Sequence, residues 1–370
     1  MNTSIADEFL MKELAEKVLY CLRIMSLIDW LTQFISDDYN KRILARHILV
    51  YLDSFIELSP QLKNKIKNTG ANVNTAKQKL NQLRQDYEAF YSKIRDKLTA
   101  HRQDLPLVQR IEAWNEIDNT TVKSFIDDAL NAYNELNNLS NIVKPFTEFE
   151  YKQNCQLTNS LNNLNTNNIN SPKISSDNLA VSRDNTSALI PCTEMQHRCS
   201  QITSVLSIIK FLQYIYPALS LDRDTKRLGK AMITVDIFNL IDNLYPFYHS
   251  DPAHNIKSLL KICQEENLDK CLILENSHNN RDTNTENEFR EVRNKIAAHV
   301  DSKETLNDLI ALLDSKNIQQ LIDKVLNPAN QAFQDWCRSN PTTQVFLVDL
   351  NPEIKNVTEI EDLGGYKPYN

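Results

Sequence analysis

Apolar residues recur at helical spacing along most of this chain. Ile5, Phe9, Leu14, Val18, Cys21, Leu22, Met25 and Ile28 broadly follow helical spacing, which predicts a helix over residues 5–36. A second helical pattern covers about 40–58 and is predicted to stop at Pro60, because proline disrupts helix interiors. The polar stretch 64–74, which contains Gly70, predicts a break.

The most regular apolar stripe follows this break. It steps alternately by three and four residues, the pattern of a helix packed in a bundle. Its members are Val73, Ala76, Leu80, Leu83, Tyr87, Phe90, Ile94 and Leu98. Helical pattern resumes over about 105–139, so the first 145 residues predict one helical bundle.

A polar segment separates this bundle from the rest. Eight of the 17 residues in 154–170 are Asn, and such a segment has little apolar surface to offset the entropy cost of ordering. We therefore predict an Asn/Ser-rich linker over 146–195, a C-terminal helical bundle over 196–340 and an irregular tail over 341–370.

The second half repeats features of the first. A helix over 197–216 is predicted to end at Pro217, and Lys226-Arg227-Leu228 opens another that runs to Pro246, as Lys41-Arg42-Ile43 opens the one before Pro60. The polar run 276–287 predicts a loop insertion, and helices follow at about 303–314 and 316–338. The predicted fold is all-α, with two bundles related by internal duplication and packed as a pseudo-dimer.

Composition narrows the classes of function. Only 4 of 370 residues are Gly, which favours helices. The net charge of −7 argues against a protein whose whole surface is basic and binds nucleic acid. The seven Cys form no CxxC pair, which predicts reduced thiols in a cytoplasmic protein. The N-terminus does not resemble a signal peptide, and no apolar stretch reaches 18 residues, so no membrane association is expected.

Two heptapeptides carry the candidate chemistry. Residues 95–101 (RDKLTAH) and 293–299 (RNKIAAH) share Arg, Lys, Ala and His at matching places. His101 and His299 continue the apolar seams of their helices, and Arg95 and Arg293 lie one position off those seams. If the seams face each other, two Arg and two His converge on one cleft. A lone His or Arg at such a place is more often structural, but the duplication favours a shared site.

The pattern of Arg, a polar residue and a His six positions after the Arg resembles the signature of the HEPN superfamily, and residues 293–301 resemble its abortive-infection members in particular. The resemblance covers roughly residues 1–140 and 199–338. It implies small helical bundles and a metal-independent endoribonuclease of a prokaryotic defence or toxin system, without cofactor. Arg95, His101, Arg293 and His299 would be catalytic, and Asp96, Asn294, Lys97 and Lys295 would support them.

The resemblance also implies partners and mechanism. RNA would be the substrate, cut to a 2′,3′-cyclic phosphate and a 5′-hydroxyl, with His as general base and Arg stabilising the transition state. An antitoxin, a sensor or another defence protein would be a partner, and a homo-oligomer is compatible with the pattern. Gln103 and Asp301 stand where nucleotidyltransferase-modified members carry Tyr, so that mode of control is not expected.

Other readings stay open. The alternative function is a non-catalytic HEPN-like scaffold that binds a partner protein or RNA. Basic residues near the motifs, Lys93, Arg102, Arg110 and Arg290 among them, are equally typical of a solvated helix face. Cys192, His197 and Cys199 match no zinc signature. His47 is expected at the surface, and Trp30, Trp114 and Trp336 in the core.

Overall fold

The computed structural model describes residues 5–32, 38–90, 117, 119–140, 194–219, 223–246, 257–266, 271–297, 300, 304–340 and 343. Within these ranges the secondary structure is helical and no strand occurs, which confirms the predicted all-α class. The α-helices are α1 (Ile5–Thr32), α2 (Asp38–Asn68), α3 (Asn74–Phe90), α4 (Asn119–Asn138), α5 (Glu194–Leu219), α6 (Arg223–Leu244), α7 (Leu259–Glu265), α8 (Cys271–Asn279), α9 (Thr283–Val292), α10 (Leu306–Ser315), α11 (Ile318–Leu321) and α12 (Asn327–Ser339). Two π-helical turns, Arg293–Ala297 and Ile322–Leu326, follow α9 and α11.

The chain divides into two compact units. The N-terminal unit is Met1–Cys155 with Asn294–Ser315, and the C-terminal unit is Gln156–Arg293 with Lys316–Asn370. This division groups residues 294–315, which the sequence places in the predicted C-terminal bundle, with the N-terminal unit. The predicted bounds of the bundles, linker and tail stay predictions. The internal duplication and the packing of the two halves as a pseudo-dimer stay predictions.

The core of the N-terminal unit lies between α1 and α2, which pack along each other and against α4. Val18, Leu22, Met25 and Ile28 of α1 are all completely buried, as their spacing predicts. Burying a side chain of this size contributes about 1.5–3 kcal/mol, so this seam anchors the unit. Helix α3 packs on α2 and α4, where Tyr87 meets Phe125 edge to face at 6.5 Å.

The predicted stop at Pro60 is wrong, because α2 continues through Pro60 to Asn68. Proline lacks the N–H that would bond to the preceding turn. The apolar stripe compensates for this loss, since Leu58, Leu62 and Ile66 are at most 1% exposed on both sides of Pro60. The chain breaks instead at Gly70, whose φ of +94° is a conformation that glycine adopts readily.

The predicted stripe of α3 is correct over most of the helix. Val73, Ala76, Leu80 and Leu83 are buried, as is Tyr87, but Phe90 is 62% exposed. The buried seam therefore ends at Tyr87 in the described part of the chain. Ile94 and Leu98, the remaining members of the predicted stripe, lie outside the described residues.

The core of the C-terminal unit lies between α5 and α6, with α7, α9, α11 and α12 packed around them. A polar network crosses this core. Buried Arg198 of α5 donates hydrogen bonds to Gln201 (3.1 Å) and to Asn243 of α6 (2.6 Å), and Glu194 lies 3.7 Å from its guanidinium. A buried charge requires such partners. Helix α5 also extends past Pro217 to Leu219, beyond its predicted end.

Two further expectations need correction. The polar run 276–287 is not a single loop insertion, because α8 ends at Asn279 and α9 begins at Thr283. The Asp282 side chain caps α9 by accepting a hydrogen bond from the Thr285 N–H, so polar residues here begin a helix. His47 is 1% exposed and buried rather than at the surface, whereas Trp336 is completely buried, as expected.

A search of the described helices for a segment long and apolar enough to cross a membrane finds none.

Candidate functional site

The two heptapeptides are described unequally. Arg95, Asp96, Lys97 and His101 of the first motif lie outside the described residues, as does His299 of the second. Arg293, Asn294 and Lys295 of the second motif are described. The predicted convergence of the two His residues on one cleft therefore stays a prediction.

Arg293 stands where the helix changes type. Helix α9 ends at Val292, and Arg293 heads the π-helical turn Arg293–Ala297. Its backbone N–H donates to the carbonyls of Phe289 and Arg290. π-Helical turns are rare and occur frequently at functional sites. In the structure, the last turn of this helix widens at Arg293 itself.

The helix that carries Arg293 is firmly held within the C-terminal unit. Its first turn is capped by Asp282, and Phe289 and Val292 are at most 1% exposed. The Arg290 guanidinium lies 5.4 Å from the ring centroid of Phe238 in a cation–π contact. These contacts fix the backbone of α9 up to the residue before Arg293.

The chain after the motif is held by the N-terminal unit. Buried Val300, which directly follows His299, donates its backbone N–H to the Ser54 hydroxyl of α2 at 3.0 Å. Lys17 of α1 donates to the Glu304 carbonyl, and the Glu13 carboxylate accepts from the Leu306 N–H at the start of α10. Side chains of α1 and α2 therefore supply hydrogen-bond partners to Val300, Glu304 and Leu306.

The described supporting residues have different surroundings. Asn294 is exposed, whereas Arg293 and Lys295 are half-buried. Lys295 pairs with Glu304 across 3.1 Å. The positive charge of Lys295 is therefore partly balanced by a carboxylate within the protein.

Metal and thiol chemistry receive no support from the described residues. None of their His, Cys, Asp and Glu side chains form a group of three that could hold a metal ion. Burial raises the pKa of Cys263 and Cys337 to about 12, so both remain neutral thiols near neutral pH. His197 and Cys199 are buried core residues of α5, and Cys192 lies outside the described residues.

A second feature was missed by the sequence reasoning. A cleft of about 400 Å³ in the C-terminal unit is lined by Tyr245, Arg281, Glu286 and Lys324, among others. Arg281 and Glu286 fall in the run that was expected to be a loop, whereas Tyr245 and Lys324 lie outside it. The available signal was Asp282 followed by Thr285 and Phe289, which is an N-cap before an apolar helix face.

No family model matches the chain, and no curated protein or solved structure matches it. The class that the fold defines is an all-helical protein of two compact units. The resemblance to the HEPN superfamily therefore depends on the two heptapeptides and their helical context.

Proposed function

We propose that this protein is a metal-independent endoribonuclease of a prokaryotic defence system, which uses Arg95, His101, Arg293 and His299. The observation that carries the proposal is the duplicated heptapeptide, with Arg and His six positions apart in both copies. The π-helical turn headed by Arg293 supports it, because such turns are frequent at functional sites.

The chemistry follows from the residue types. A His takes the proton of the RNA 2′-hydroxyl, since an unperturbed imidazole titrates near pH 6.5 and can act as a base at neutral pH. The oxygen then attacks the adjacent phosphorus, and the bond to the 5′-oxygen breaks as that oxygen gains a proton. An Arg guanidinium stabilises the charge on the phosphate oxygens with a planar pair of donors. The second His is suited to supply the proton.

The test replaces each catalytic residue in turn. His101→Ala and His299→Ala are each expected to lower RNA cleavage by about 10²–10⁴-fold, the typical contribution of a general acid or base. Arg293→Ala should lose most activity, and Arg293→Lys should not restore it, because one ammonium cannot replace the bidentate guanidinium. Toxicity in cells should follow the same order.

A matched control distinguishes the loss of a catalytic arginine from the loss of one positive charge. Arg338 is an exposed arginine near the end of α12, where it pairs with Asp335 at 2.8 Å. Arg338→Ala removes the same charge as Arg293→Ala and should leave cleavage unchanged. Full activity in the His101→Ala/His299→Ala double variant would refute the enzymatic proposal.

The second candidate function is a non-catalytic HEPN-like scaffold. The observation that favours it is the pairing of Lys295 with Glu304, together with the net charge of −7, because both reduce the electrostatic attraction of RNA. A scaffold would retain its partner in a pull-down when both His residues are replaced, without any RNA cleavage by the parent protein.

A further inference from the structure

A cleft in the C-terminal unit has the form of a small-molecule site. It lies beside the end of α8, the start of α9 and the second π-helical turn, and its volume is about 400 Å³. Ligand pockets in proteins typically enclose about 300–1,000 Å³. The neighbouring π-helical turn, Ile322–Leu326, contributes Lys324 and Val325 to the lining, and such turns are frequent at functional sites.

The lining of the cleft combines apolar and polar residues. Ile241 and Val325 provide apolar surface, whereas Asn276 and Asn280 provide side-chain amides. This combination of apolar walls with a few polar groups is typical of sites that bind organic molecules. It is unlike a site for a bare ion, which needs converging charged ligands.

Two buried polar atoms of the cleft have no hydrogen bond. They are the Oε1 atom of Glu286 and the Nε atom of Arg281, which lie 3.6 Å apart. Glu286 is 3% exposed. Buried polar groups in proteins are nearly always hydrogen-bonded, whereas this donor and this acceptor meet each other only as an ion pair, at a distance longer than a hydrogen bond.

The surroundings hold this pair in place. The Arg281 guanidinium lies 5.1 Å from the ring centroid of Tyr245. The Tyr245 hydroxyl is already engaged with the Ser277 hydroxyl at 2.6 Å, and the His278 ring packs against Tyr245 at a centroid distance of 5.4 Å. The stack restricts the guanidinium, which leaves its Nε beside Glu286.

The charges of the cleft are balanced. Glu286 faces Arg281, and Lys324 lies 3.5 Å from Asp282, whose oxygens also accept from Thr285. A free anion would meet the two carboxylates, and a free cation would meet the two basic side chains. An uncharged ligand avoids both repulsions. It also leaves the two ion pairs of the cleft in place, and separating a buried ion pair would leave an uncompensated charge.

We propose that the cleft binds a small uncharged molecule through a carboxamide-type edge, whose carbonyl accepts from Arg281 Nε and whose N–H donates to Glu286 Oε1. The carbonyl oxygen and nitrogen of an amide are about 2.3 Å apart, from its bond lengths. Two hydrogen bonds of ordinary length can therefore converge from protein atoms 3.6 Å apart. This site is independent of the proposed ribonuclease site.

Three probes of matched shape test the proposal on the full chain. Benzamide, benzoate and benzylammonium share a ring and differ in charge and hydrogen-bonding edge. Saturation-transfer NMR titrations should show benzamide binding at least about tenfold more tightly than the other two, since losing one buried hydrogen bond costs about 1.4 kcal/mol or tenfold. Tightest binding of benzoate or benzylammonium, equal binding of all three, or no binding would each overturn the proposal.

Substitutions of Glu286 and Arg281 test whether these residues bind the carboxamide edge of the ligand. Glu286→Met removes the acceptor and should weaken benzamide binding about tenfold or more. Glu288→Met is the matched control, since Glu288 is an exposed residue of the same helix, and it should bind benzamide as the parent does. If Glu286→Met fails to fold by circular dichroism, Arg281→Lys tests the donor instead. Unchanged benzamide affinity in the folded variant would refute the assignment.

Discussion

The hydrogen bond between the Ser54 hydroxyl and the Val300 N–H holds the chain directly after the second motif. The Ser54 hydroxyl is buried, accepts from the Val300 N–H at 3.0 Å and donates to the Val50 carbonyl at 3.2 Å. Replacing Ser54 with Ala leaves the buried Val300 N–H without this acceptor. We therefore expect Ser54→Ala to loosen the chain directly after His299 while α2 itself stays folded.

The size of the effect follows from the cost of an unsatisfied group. A buried donor that loses its partner typically costs about 1–3 kcal/mol. Because 1.4 kcal/mol corresponds to a factor of ten, the opening equilibrium of this segment should rise roughly 5- to 150-fold. The lost bond within α2 contributes little, because such bonds from Ser to the residue four positions earlier are slightly unfavourable in helices.

Ser59→Ala is the matched control. Ser59 is buried in the same helix and donates to the Phe55 carbonyl four residues earlier at 2.5 Å. Ser59→Ala should therefore leave the exchange of the segment after His299 unchanged, because this hydrogen bond lies within α2 and such bonds contribute little to helix stability. Hydrogen exchange measured by mass spectrometry on a peptide spanning 300–306 reports the opening directly. Equal exchange in the Ser54→Ala and Ser59→Ala proteins would refute the reasoning.

Three further predictions concern the rest of the chain. Gly70→Ala should destabilise the protein by about 1 kcal/mol through backbone strain alone, because φ is +94° and no atom lies within 4 Å of an added Cβ; a lowered denaturant midpoint would show it. Native alkylation at pH 8 should label Cys271, which is half-buried, before Cys263 and Cys337, whose pKa values burial raises to about 12; labelling all three at one rate would contradict this. Burial also raises the pKa of Glu286, so the folded state holds its proton more tightly than the unfolded state. Stability should therefore fall as pH rises from the ordinary carboxyl range through that raised pKa. Glu286→Gln should flatten this part of a pH series of urea denaturation, and an unchanged slope would count against it.

The all-α class and most of the core could be predicted from spacing alone. The seams through Val18 and Leu80 are buried as expected, because a helix must bury its apolar stripe. The continuation past Pro60 could not be predicted, since buried Leu62 and Ile66 beyond it compensate for the missing bond. The effect of a proline on a helix depends on the tertiary packing of the following turn, which the local sequence does not show.

The site was predictable only in part. The repeated heptapeptides identify candidate residues, but spacing assumes a regular helix, and the π-helical turn at Arg293 changes the register there. The Ser54–Val300 bond joins residues 246 positions apart, and no local pattern signals such a contact. The cleft beside Glu286 is likewise formed by separate elements, α8, α9 and the second π-helical turn, so no local pattern predicts it.

The chemistry of the cleavage products tests the central claim most directly. Purified protein is incubated with a defined RNA in EDTA, and the ends of the fragments are identified by mass spectrometry. Because His and Arg would carry out the proposed reaction without a metal ion, we expect cleavage to fragments with a 2′,3′-cyclic phosphate and a 5′-hydroxyl. Cleavage that requires a divalent metal, or products with a 3′-hydroxyl and a 5′-phosphate, would contradict the account.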